Sequence, residues 1–128
     1  MSPAEYIELF QNGGVNTGTH AMNFVTLLFA YLVAAYFAGA KMTTFQVIAL
    51  TTIYSVFSAV PAGSAVATLE RTIAIAQQFR KEHPEVAALY FDAEVNLNPT
   101  IIGGVFFVSW ILSISYMISE RRKSNATD

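Results

Sequence analysis

The sequence predicts an all-α membrane protein: three transmembrane helices, an N-terminal interfacial helix and an extramembrane helical extension of the second span. Three observations carry this. Residues 20–40, 42–69 and 100–119 contain no Asp, Glu, Lys or Arg. Each run reaches the roughly 20 helical residues that cross a hydrocarbon core about 30 Å thick. The 128 residues are 54% hydrophobic and 12% charged, about half the charged share of a soluble domain. The three runs take up more than half the chain, so residues 1–128 read as a single membrane domain with no room for a separate soluble core.

Ser2-Pro3-Ala4-Glu5 reads as a helix start, with Ser2 capping, Pro3 in the first turn and Glu5 closing a capping box. Tyr6, Ile7, Leu9 and Phe10 supply an apolar stripe, and Gly13-Gly14 is expected to end the helix. A short interfacial helix over 3–12 therefore lies flat beside the first span, with 16–19 as the loop between them. The first span, about 20–40, carries Ala30, Ala34 and Ala38 at four-residue spacing, with Ala35 and Gly39 offset by one. Small residues at that spacing let helix backbones approach closely in lipid. Residues 39–42 form a tight reversal, which makes the first two spans antiparallel neighbours.

The second span, about 43–68, holds Thr44, Thr51, Ser55, Ser58 and Ala62 at steps of seven, four, three and four. This heptad-like seam suits packing at a shallow crossing angle. Pro61 removes one backbone donor and is expected to kink the helix, and Gly63 belongs to an almost entirely small segment around it. The closest helix contact is expected there. Beyond Thr68 an apolar stripe of Leu69, Ile73, Ala76 and Phe79 continues the helix out of the membrane. Pro84 stops it at His83. A second short amphipathic helix follows over 85–93, within an outer helical loop spanning 69–98. Asn98-Pro99 caps the third span, about 100–119, which Glu120-Arg121-Arg122-Lys123 ends sharply. The basic tail, 120–128, is expected to be disordered.

A net charge of −2 gives no basic patch for nucleic acid. The absence of cysteine removes disulfides, thiolate nucleophiles and Cys-type metal sites. His20 and His83 do not sit at matching membrane depth, so neither haem nor zinc is expected. Asp92, Glu94, Asn96 and Asn98 alternate like the start of a calcium loop but lack its glycine and distal glutamate. A linker and helix cap account for them, and no cofactor or metal is expected. No histidine at membrane depth can activate a serine, so no enzyme is expected.

Lys41, Arg121, Arg122 and Lys123 outnumber Arg71, Arg80 and Lys81, and the cluster Arg121-Arg122-Lys123 abuts the third span, whereas Arg80 and Lys81 lie farther from any span. By the positive-inside rule the N-terminus is outside and the C-terminus cytoplasmic, in the plasma (inner) membrane. The spans carry no ionisable relay, which disfavours ion-coupled pumping and leaves hydroxyls, small residues and one proline. The expected function is a homo-oligomeric assembly with a passive channel or solute pocket lined by the second span through Thr44, Thr51, Ser55, Ser58, Pro61, Ala62 and Gly63. Glu70 and Arg71 would stand at the pore mouth or at the interface. The alternative is a non-catalytic accessory or scaffold subunit of a larger membrane complex. The outline of three spans, N-outside, C-inside and a basic tail also resembles that of class I holins, which implies a holin-like pore; the stretch 71–98 is longer than such an outline requires.

Overall fold

Ser2 and Glu5 start the chain as their spacing predicts. The Ser2 amide donates to the Glu5 carboxylate at 2.7 Å and the Glu5 amide donates to the Ser2 hydroxyl at 3.4 Å. From this box helix α1 runs unbroken over Pro3–Ala38, followed by a 3-10 turn at Gly39–Lys41. Helix α2 covers Thr44–Glu82, α3 Pro84–Tyr90 and α4 Pro99–Thr127. The structure, a computed structural model, describes residues 1–91 and 98–127. Asp92, Glu94 and Asn96 of the alternating oxygen donors lie outside them.

The helices exceed what a membrane requires. Three of them are long and apolar enough to span one, the mark of a multi-pass membrane protein. At 36 and 39 residues, α1 and α2 are about 54 and 58 Å long, nearly twice the hydrocarbon core. They pair antiparallel along almost their whole length: Tyr31 meets Thr51 and Tyr54, Gly13 meets Thr72, and Tyr6 meets Phe79. Beyond the charge-free runs they form a two-helix stalk. There α3 folds back to bury Tyr6, Phe79 and Ala87 in a small cluster of its own.

This stalk replaces the interfacial helix. Gly13-Gly14 does not end α1, and residues 16–19 are helical. Two glycines inside a helix cost roughly 1 kcal/mol each relative to Ala. Here Gly13 returns that cost by close approach, because a methyl group at its Cα would overlap the Thr72 hydroxyl and lie 3.2 Å from Thr72 Cβ. The closest α1–α2 approach among the glycines is thus in the stalk rather than beside Pro61.

At the other end the three long helices make a filled core. Tyr31 and Tyr54 stack with centroids 4.1 Å apart and planes 13° from parallel, and Ala35, Val47 and Met117 are buried with them. Aromatic stacking of this kind contributes about 0.5–1.5 kcal/mol beyond burial. Of the small residues of the first span, Ala35 in α1 and Gly39 in the turn after it are the buried pair, whereas Ala30 is exposed. Gly39 lies beneath α4, where an added methyl would stand 3.3 Å from Met117 Sδ. The second span starts from a box that mirrors the first: Thr43 and Gln46 exchange side-chain and backbone hydrogen bonds.

Helix α2 continues through Pro61 without interruption and stops at His83, as Pro84 dictates. Proline inside a membrane helix is tolerated when neighbours accommodate it, and Pro61 is buried. Asn98 accepts from the Thr100 amide at 2.9 Å and opens α4. The basic cluster does not end α4 at Ser119. Glu120, Arg121 and Lys123 are good helix formers; Lys123 pairs with Glu120 one turn away at 2.6 Å, and Arg121 hydrogen-bonds the Thr44 hydroxyl.

Candidate functional site

Helix α4 runs antiparallel to α2 and touches it differently at its two ends. In the half nearest Lys41, Ser113 donates to the Tyr54 hydroxyl at 3.1 Å and Met117 is fully buried. At mid-span the Trp110 indole N–H donates to the Ser55 hydroxyl at 3.1 Å, and Ser55 in turn donates to the Thr51 carbonyl at 2.7 Å. Past that bond, toward Glu70, the helices leave a groove of about 540 Å³. Ala59, Ala62, Gly63, Val66 and Ala67 of α2 line one side, Gly103, Phe106 and Phe107 of α4 the other. Phe24 of α1, only 3% exposed, packs on Phe106 at 4.6 Å and closes the floor.

Small residues make the groove. Nothing lies within 4 Å of a methyl group built on Gly63; the space beside it is open. Gly103 lets α4 come close to α2 at Val66, where an added methyl would sit 3.6 Å from Val66 Cγ2. The groove is almost wholly apolar. Its polar lining is Ser55 and Ser58 at the deep end and Glu70 at the other. Both serines are engaged, since the Ser58 hydroxyl donates to the Ser55 carbonyl at 3.3 Å. Glu70 is exposed and makes no salt bridge among the described residues.

The predicted seam divides. Thr44 meets Arg121, and Thr51 shares a 2.7 Å hydrogen bond with the Tyr31 hydroxyl. Ser58 and Pro61 are buried in the bundle. Ser55, Ser58, Ala62, Gly63 and Glu70 meet in the groove, while Thr44, Thr51, Pro61 and Arg71 are not part of its lining. Sequence reasoning missed its aromatic wall. The signal was present as Phe106, Phe107 and Trp110, three bulky rings within two turns opposite a strip of α2 made mostly of Ala, Ser and Gly.

Comparison with protein-family models, with curated proteins and with solved structures finds no match to this chain. Its chemistry must be read from its own residues.

No group of three or more His, Asp or Glu capable of holding a metal ion occurs among the described residues. His83 closes α2, with Nε2 2.9 Å from the Met1 carbonyl oxygen. The electrostatics of note lie in the stalk. Tyr6 is 1% exposed, and its hydroxyl faces the Glu82 carboxylate without a well-aligned hydrogen bond. Burial first, and Glu82 second, push the Tyr6 pKa up to about 12. Glu82 is held below the usual carboxylate value by Tyr6 and then by the Gln78 amide, which donates to it at 3.0 Å.

Proposed function

We propose that this is a non-enzymatic protein of the inner (plasma) membrane, N-terminus outside and C-terminus cytoplasmic. In this reading it works as a homo-oligomer, and its second span lines a pocket for an apolar or amphiphilic ligand. The carrying observation is the open groove of about 540 Å³ between α2 and α4, within the roughly 300–1,000 Å³ usual for ligand sites. A water-filled pore would have to present hydroxyls to its lumen. Thr51, Ser55 and Ser58 instead bond within the bundle, which favours a pocket over a channel. Self-association is supported by a second apolar recess of about 500 Å³ on α1 and α4, bordered by Phe29, Tyr36, Phe37 and Tyr116.

The test is purification in mild detergent followed by native mass spectrometry and reconstitution into liposomes. The expected result is a discrete homo-oligomer that carries an amphiphile, loses it in the Ala59→Leu/Gly63→Leu variant and passes no ions or small solutes. Solute flux above that of empty liposomes would restore the channel reading. A second reading, an accessory subunit, draws on the stalk. Leu89 and Tyr90 of α3 are 82% and 60% exposed, an apolar surface outside the charge-free runs that suits a protein partner. A monomer without bound amphiphile would favour that reading.

A further inference from the structure

We propose that the groove holds one acyl chain of a phospholipid whose headgroup carries an ammonium group, and that Glu70 receives that ammonium. The inference rests on the pocket reading and names its occupant.

Depth argues first. Ser55 stands midway along the charge-free run 42–69, and Glu70 follows directly on its end. The groove therefore extends from the headgroup level to the middle of the bilayer, about 22 Å along α2, against about 15 Å for half the hydrocarbon core. That is the reach of one lipid in one leaflet. A helix from a second copy would span both leaflets, and in the other leaflet its path is closed. There Ser113 bonds Tyr54 and Met117 fills the space between the helices. The Trp110–Ser55 hydrogen bond marks the bottom of the groove.

Chemistry argues second. A polar solute seated in the groove would find no free hydroxyl proton, because Ser55 and Ser58 both donate within α2 and Ser55 also accepts from Trp110. A methylene chain requires none. It lies over Ala59 and Gly63 between Phe24, Phe106 and Phe107, in contact with apolar atoms throughout. Among the described residues, the single charge in the lining is the Glu70 carboxylate, at the end where a headgroup sits. A carboxylate there attracts an ammonium and repels an anionic headgroup.

Trp110, the chain's sole tryptophan, lines the deep end and reports occupancy directly. The full chain is reconstituted in bilayers containing a small fraction of phospholipid brominated near the end of its acyl chains, and quenching of Trp110 is measured. Brominated phosphatidylethanolamine should quench at several-fold lower mole fraction than brominated phosphatidylglycerol. Glu70→Gln should abolish that preference while quenching persists. Ala59→Leu/Gly63→Leu should weaken quenching by both lipids, and Gly63, facing open space, tolerates the change. Equal quenching by the two headgroups in the unaltered chain, lost in the double variant, would overturn the ammonium assignment and leave the pocket standing. Quenching that the double variant does not alter would overturn the pocket itself.

Discussion

The Trp110 indole N–H donates to the Ser55 hydroxyl at 3.1 Å, tying α4 to α2 at the middle of the longest charge-free run. On one side of that bond the three helices fill their core; on the other they part into a groove. Ser55 also donates to the Thr51 carbonyl, so one hydroxyl serves two helices. In lipid such interhelical bonds are each worth about 0.6–2 kcal/mol. Ser55→Ala should destabilise the bundle by about 1 kcal/mol, read as a lower midpoint in denaturing-detergent titration followed by circular dichroism. Ser55→Leu should cost more, since it also displaces the indole.

The stalk offers a paired test in adjacent residues. A methyl at Gly13 would overlap the Thr72 hydroxyl, whereas one at Gly14 meets nothing within 4 Å. Gly14→Ala should leave stability unchanged or raise it by about 1 kcal/mol, the helix-propensity gain. Gly13→Ala should lower it and speed amide hydrogen exchange over residues 3–19. Equal effects from the two changes would show that the stalk helices are not paired in this register.

Gly39 sets the seat of α4. A Cβ there would stand 3.3 Å from Met117 Sδ and 3.4 Å from Glu120 Cβ. Met117 can yield a few tenths of an ångström, so Gly39→Ala should be mild, below about 1 kcal/mol. Gly39→Val should force α4 away, with a loss of 1–3 kcal/mol typical of overpacking, measured by the same titration.

Acid and alkali should both loosen the stalk, each through a different group. The Tyr6 pKa is raised to about 12 from 10.0, so the folded state holds its proton longer than the unfolded one. Its contribution is complete below pH 10 and is lost as pH rises toward 12. Glu82 is depressed, so its contribution is present above its ordinary value and is lost as pH falls through the folded one. Spectrophotometric titration of the unaltered chain against Tyr6→Phe should reveal one late phenol. Glu82→Gln should bring that phenol to a lower pH, though not to 10.0, because burial is the larger cause.

Local chemistry was legible in the sequence where one residue type decides the outcome. The Ser2–Glu5 box, the stop at His83 before Pro84 and the Asn98-Pro99 start stand where their spacing places them. The Thr43–Gln46 box carries the same signature and could have been read. Gly13-Gly14 misled because a helix breaker in isolation becomes a point of close approach once a partner helix lies alongside. The seam of Thr51, Ser55 and Ser58 was visible, but its direction was not. Whether a hydroxyl on a membrane helix faces water, a second copy or its own bundle depends on where α1 and α4 dock. The groove was hidden for the same reason. Its floor comes from Phe24, its wall from Phe106 and Phe107, and periodicity within α2 carries no information about either.

In the proposed reading Gly63 faces lipid through an open groove. The chain has no cysteine, so Gly63→Cys gives a single attachment point for a nitroxide in the reconstituted protein. Power saturation by electron paramagnetic resonance then compares contact with oxygen, which dissolves in the bilayer core, and with a water-soluble nickel chelate. The groove predicts strong access to oxygen and little to nickel. Strong access to nickel would mean a water-filled pore, access to neither would mean a packed helix interface, and either result would contradict a lipid-facing groove at Gly63.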